Sequence, residues 1–198
     1  MTELFWAILT FAFVTSVTPG PNNVMLTAAG ANFGLARTIP HIVGISIGVV
    51  VMIYGVGIGA AQLLQRYPVL HQAMKIGGAL YLFWLAWSIA RAGRPADSIE
   101  RPARPMTLLQ AALFQWVNPK AWIMIAGALP AFTTVGGDLM WELTLIAIAY
   151  VLVCPPSCAL WCGFGMAIAR LLGSNRAWAW FNRVMAGLLA ASVITVLM

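Results

Sequence analysis

Acidic side chains are scarce in this chain: five of its 198 residues are Asp or Glu, and charged residues of both signs make up only 8%. A soluble domain carries about a quarter of its residues as charges, so the missing polar surface excludes a fold built for water. Two histidines, His41 and His71, lie far apart in the sequence, and no cluster of His, Arg and carboxylate suits phosphatase chemistry. The three cysteines, Cys154, Cys158 and Cys162, fall in one apolar stretch and supply no disulfide framework. They recur every four residues, but three soft ligands without a fourth make poor zinc chemistry and good small packing residues. No metal or cofactor is expected. Eleven Lys and Arg give a net charge of +6, yet no basic stripe with interleaved aromatics lies on a polar face, which excludes a nucleic-acid partner.

What the chain has in excess is apolar: 62% hydrophobic residues and a mean hydropathy of +0.89. A span of roughly 30 Å of hydrocarbon needs about 20 apolar residues, and such windows fall near 4–29, 42–64, 69–90, 107–130, 139–168 and 178–198. The expectation is an all-α polytopic protein of six transmembrane helices in the lipid bilayer, one transmembrane domain over 1–198. The first window starts with Glu3 and is interrupted by prolines, so it reads as a retained span rather than a cleaved signal. Residues 92–105 form the one sustained polar segment, a Pro-rich cytoplasmic linker between half-repeats of about 1–91 and 106–198. Three spans per half is an odd number, so the second half enters the membrane in the opposite sense and the halves are inverted repeats by count. Arg37, Arg91, Arg94, Arg101, Arg104, Arg170, Arg176 and Arg183 all fall on one side, which the positive-inside rule makes cytoplasmic. Both termini are then periplasmic.

Two of the six windows are broken in matching places. Thr18-Pro19-Gly20-Pro21-Asn22-Asn23 interrupts the first, and Asn118-Pro119-Lys120 interrupts the fourth. Each proline lacks the N–H that would close a helical bond, so the carbonyls of Thr15, Val17 and Gln115 lose their usual partners. In hydrocarbon that is costly unless the broken segment is buried or lines a cavity. Paired broken helices in corresponding positions point to the binding site of a secondary transporter. Asn118 is suited to cap a new helix with Pro119 at its first position, and Pro19 or Pro21 to open another, so each break offers N–H groups to an anion. A charge at that depth, Lys120, costs at least about 2.5 kcal/mol and is seldom kept without a partner. A zwitterionic amino acid fits: carboxylate at the helix N-termini near Lys120, ammonium on the freed carbonyls and on Asn22 and Asn23. Kinked helices that merely pack, with a snorkelling Lys120, are the plainer account.

Other features have ordinary readings. Gly44, Gly48, Gly55 and Gly59 recur near helical spacing and suit close helix packing, either within one protomer or at a homodimer face. His41, at the cytoplasmic end of the second window, is expected to be satisfied or solvated. Pro155-Pro156 implies another helix break in the fifth window, and Trp6, Trp141, Trp178 and Trp180 suit an aromatic belt. No carboxylate lies deep in any window, so if transport is coupled to protons the titratable candidates are Lys120, His41, Asp138 and Glu142. A passive channel, a structural subunit of a larger complex and a membrane thiol oxidoreductase are the competing functions. The last would want cysteines in the broken spans.

Three motifs, Thr-Pro-Gly-Pro-Asn-Asn at 18–23, Gly-Gly-Ala-Leu-Tyr-Leu-Phe-Trp-Leu-Ala-Trp at 77–87 and Asn-Pro-Lys-Ala-Trp at 118–122, together resemble the LysE/RhtB family of amino-acid exporters over essentially the whole chain. The resemblance implies a bacterial inner-membrane translocator moving amino acids or their derivatives outward, at the expense of the proton gradient. The Pro-Gly-Pro-Asn-Asn form is similar to the branch that exports cysteine and O-acetylserine, although such members often lack the Asn-Pro-Lys form. Some relatives carry an acidic residue inside the fifth span, where this chain has Cys, Pro, Ser and Trp, so coupling through that position does not carry over.

Overall fold

The computed structural model describes residues 2–60, 66–91 and 104–192. Seven α-helices, and no strand, are found among them: α1 Thr2–Val17, α2 Pro21–Gly55, α3 Pro68–Ala90, α4 Leu108–Phe114, α5 Pro119–Phe132, α6 Leu139–Leu171 and α7 Asn175–Ala191. A π-helical turn, Val56–Ala60, continues α2, and a 3-10 turn, Gln115–Val117, continues α4. The linker expected over 92–105 lies outside the described residues except for its last two positions.

The prolines decide where the helices stop. In α1 the ladder runs as far as the bond from Thr18 N to Val14 O at 3.2 Å, and Pro19 and Pro21 then have no N–H to extend it. Pro21 opens α2 at its first position, where a missing N–H costs nothing. Asn118 and Pro119 do the same between the 3-10 turn and α5, with Asn118 Oδ1 accepting from Lys120 N at 3.1 Å. The start of α4 is fixed by a capping box: Gln110 N donates to Thr107 Oγ1 while Thr107 N donates to Gln110 Oε1 at 3.0 Å.

Three helical stretches are long and apolar enough to cross a membrane: Pro21–Gly59, Gln72–Ala90 and Leu139–Leu171. Thr2–Val17 and Leu108–Val117 are apolar but shorter, because the first and fourth windows are each divided by their break. The second window differs from its expected start near residue 42. Helix resumes directly after Gly34, whose φ of 75° is a left-handed conformation that glycine adopts without steric cost, so one residue separates the two parts of α2. Pro155 and Pro156 do not break the fifth window. Both lie inside the continuous α6, since proline's fixed φ is helical and α6 is braced by α1 and α2.

The centre of the bundle is the pair α2 and α6, and it is built on glycine. A Cβ on Gly30 would fall on the carbonyl of Cys162, and a Cβ on Gly165 on the carbonyl of Thr27, so the backbones touch at both points. Thr27 Oγ1 crosses the same contact to Trp161 O at 3.3 Å. The glycine stripe of the second window is used inside the protomer: Gly44 faces Leu108 and Ala111, Gly48 faces Ala112, and Gly55 faces Trp116. Beyond the central pair, α1 packs on α6, α4 on α2, and α3 on α7. Large apolar side chains such as Trp6, Leu80, Ile123 and Leu160 point outward with more than half of their surface exposed, as a lipid-facing exterior requires. Trp141 and Trp180 are exposed in the same way, whereas Trp178 is not a belt residue: it is buried with Ala31 and Phe181.

Candidate functional site

The two helix breaks meet. Lys120, in the first turn of α5, reaches the break after α1 and donates from Nζ to the carbonyl of Thr18. Its aliphatic chain lies on Gly20, where an added Cβ would sit 2.5 Å from Lys120 Cδ. A second link joins the same two segments: Asn22 Nδ2 donates to Gln115 Oε1 at 2.9 Å, and Gln115 Nε2 donates back to Asn22 Oδ1 at 3.4 Å. Asn118 Nδ2 also donates to Gln115 Oε1, at 3.4 Å, and Gln115 Nε2 is further held by Ala111 O at 2.8 Å.

These groups border a small cavity of about 30 Å³, lined by Ser16, Asn22, Asn23, Gln115, Asn118 and Lys120 on its polar side. That is room for a water molecule or two rather than for an amino acid. The opposite wall carries Ile45 and Val49 of α2, Met124 of α5, and Cys154 and Cys158 of α6. The two thiols lie 3.7 Å apart, sulfur to sulfur, on consecutive turns.

The carbonyls that the prolines leave without helical partners are taken by other protein donors. Thr15 O accepts from Thr18 Oγ1 at 3.0 Å, Val17 O from Trp161 Nε1 at 3.1 Å, and Gln115 O from Asn118 N at 3.2 Å. Asn23 Nδ2 similarly bridges Ser16 O at 3.1 Å and Thr18 O at 2.7 Å. Leaving such groups bare at this depth is costly, so the fold closes side chains onto them. The oxygen left over is Ser16 Oγ, buried on the cavity wall and without a hydrogen-bond partner.

Of the sequence-predicted residues, Asn22, Asn23, Asn118 and Lys120 line the cavity together. Thr18 contributes its carbonyl, Gly20 makes room for Lys120, and Pro21 and Pro119 set the helix starts. Pro19 is exposed and stands off the cavity. Asp138 and Glu142 serve the start of α6 instead: Asp138 Oδ1 caps it by accepting from Trp141 N at 3.1 Å, and Glu142 holds Thr134 through its N–H and hydroxyl. His41 lines a different cavity and is neither solvated nor satisfied: it is buried, with neither ring nitrogen bonded to protein. Lys120 is thus the one coupling candidate of the four that lines the cavity between the breaks. Ser16, the Gln115 side chain, Cys154 and Cys158 were not read from the sequence as wall residues. For Gln115 a signal existed, an amide three residues before Asn118 in an apolar run.

A family model described as LysE type translocator matches residues 13–197. The cysteine/O-acetylserine efflux protein of Escherichia coli strain K12 is 30% identical over 129 residues, 65% of this chain and 63% of that protein. The protein of the same description from Salmonella typhimurium strain LT2 is 33% identical over the same lengths. The chain thus matches 63% of the length of these curated relatives. No solved structure matches it.

Proposed function

The chain belongs to the LysE type translocator family, and from that premise we propose that it is a secondary transporter exporting amino acids or small amino-acid derivatives across the bacterial inner membrane. The observation that carries this proposal is the convergence of two broken helices on Lys120, which bonds a backbone carbonyl of the opposite break. A substrate carboxylate competes with the Thr18 carbonyl for Lys120 Nζ, beside the N-terminal turn of α2, which has no side-chain cap. The ammonium goes to Ser16 Oγ and the side-chain oxygens of Asn22 and Asn23. Among the described lining residues there is no carboxylate, which favours zwitterions over diamino acids. Cysteine and O-acetylserine, named for the relatives, are the first compounds to test.

A cavity of about 30 Å³ must open to admit any of these. Rocking of one three-helix half against the other, about 1–91 against 106–198, is the motion that inverted repeats provide. The pairing of helices supports this arrangement: α1 packs on α6 as α4 packs on α2, so the broken helix of each half leans on the long helix of the other. Efflux from proteoliposomes loaded with labelled amino acids is expected to saturate and to show counterflow. A linear, non-saturating flux would overturn the carrier in favour of a channel.

Orientation follows from the arginines. Cysteines introduced at Val135, in the loop before α6, and at Gly173, between α6 and α7, are both at exposed positions. In intact cells an impermeant maleimide is expected to label Val135→Cys and to spare Gly173→Cys, with both termini periplasmic. The reverse pattern would invert the topology.

A further inference from the structure

A second cavity, of about 280 Å³, lies between the two parts of α2, the end of α3 and the segment Arg104–Met106. It is stacked on the first cavity along α2. Asn22 and Asn23 face the cavity between the breaks, while Met25, Ala28 and Asn32, further along the same helix, face the larger one. After Gly34 the order reverses, with His41 on the larger cavity and Ile45 and Val49 on the smaller. The larger space thus adjoins the smaller on the arginine-bearing side of the molecule.

Its walls are apolar with four polar exceptions, Asn32, His41, Ser88 and Arg104. His41 is 1% exposed and has no hydrogen-bond partner at either ring nitrogen. A buried imidazole left unpaired is costly, so a turn of the ring that brings a nitrogen to a polar group in the cavity is favourable. Asn32 donates to Ala28 O at 2.8 Å and to Asn182 Oδ1 at 3.3 Å, which leaves its own oxygen to accept. Ser88 Oγ donates to Trp84 O at 2.9 Å and likewise keeps lone pairs free. Arg104 offers a planar fork matched to a carboxylate. The set is one cation with several neutral acceptors, against walls that include Met25, Trp84, Leu85 and Met106. Small-molecule pockets run from about 300 to 1,000 Å³, so this space fits a single amino acid and little more.

We infer that this cavity is a second binding site, a station for a neutral zwitterionic amino acid with an apolar side chain, held before it passes to the cavity between the helix breaks. Arg104 takes the carboxylate, Asn32, Ser88 and His41 take the ammonium, and the apolar wall takes the side chain. The assignment rests on the export proposal for its direction of flow but not for binding.

The test is protection of a thiol at the cavity wall. Leu85 is a half-buried residue of the apolar wall, and a Leu85→Cys chain, purified in detergent, is alkylated with N-ethylmaleimide and read by mass spectrometry of the peptide carrying residue 85. L-methionine is expected to slow the reaction and L-lysine to leave it unchanged. Adding Arg104→Gln or His41→Phe should raise the L-methionine concentration needed by about tenfold, and adding Lys120→Met should not change it. Absence of protection by L-methionine overturns the site. So does protection that Lys120→Met abolishes while Arg104→Gln and His41→Phe leave it intact, since the ligand would then act from the other cavity. A wild-type protein that moves no amino acid in proteoliposomes yet shows the expected protection would overturn the export proposal and leave the site standing.

Discussion

Lys120→Met is expected to lower efflux by roughly one to two orders of magnitude while the amount of folded protein in the membrane stays near wild type. The size follows from losing a hydrogen bond to a charged group, about 1.5–3 kcal/mol, at the moment the substrate carboxylate is desolvated. The lack of a folding defect follows from what Lys120 costs. A half-buried ammonium at membrane depth is itself unfavourable, and methionine fills the same volume without it. A fall in folded protein that matches the fall in transport would make Lys120 a structural clasp between the breaks. Gly20→Ala separates the two cases from the other side. The backbone at Gly20 is extended, with φ −174°, and accepts any residue, so the added methyl acts only on Lys120 Cδ, 2.5 Å away. That side chain is flexible and will move. Transport should then fall with the fold intact, because the ammonium no longer rests where the two breaks converge. Full activity in Gly20→Ala would mean that the placement of Lys120 is immaterial.

The positions of the breaks were legible because proline deletes a specific hydrogen bond, and inside an apolar run there is no water to replace it. Thr18 to Asn23 and Asn118 to Lys120 stand out in the sequence for that reason alone. What fills the gap was not legible. Trp161 closes on Val17 O from 144 positions away, and no local pattern marks that tryptophan as a donor rather than a packing ring. The same holds for Cys154 and Cys158, whose spacing says that they share a face of α6 but not that the face looks onto Lys120. Proline also misled. Pro155-Pro156 has the composition of a break, yet α6 runs through it, since φ near −65° is helical and neighbouring helices hold the segment. Gly34 carries no such mark in the sequence. One glycine among apolar residues looks like packing glue, and only its positive φ reveals the place where α2 is interrupted. His41 shows the limit of judging a side chain by its neighbours in sequence: next to Pro40 near a helix end it is expected to be satisfied or solvated, and it is buried with neither nitrogen bonded to protein.

Gly165→Ala should be the most damaging single-methyl change in the bundle. The added Cβ would fall on the carbonyl of Thr27 and close to the backbone nitrogen of Ala31, 3.0 Å away, and none of these atoms can rotate aside. Gly30 makes the reciprocal approach to Cys162, so α2 and α6 are locked at two points, with Thr27 Oγ1 bonded to Trp161 O between them. Separating the helices to admit the methyl would strip that bond and open the contact along its length. Overpacking of this kind costs about 1–3 kcal/mol and more where backbone is the obstacle. For a chain of this size each kcal/mol lowers Tm by roughly 2–4 °C. The detergent-solubilised variant is therefore expected to melt roughly 2–12 °C below wild type, or to fail to yield monodisperse protein, with Gly30→Ala behaving alike. Gly163→Ala and Gly187→Ala are the controls, since a methyl at either meets nothing within 4 Å. They are expected to match wild type, because alanine there adds helix propensity and touches no neighbour. If Gly165→Ala melts with the controls, α2 and α6 are not in backbone contact, and the glycines serve some purpose other than close approach.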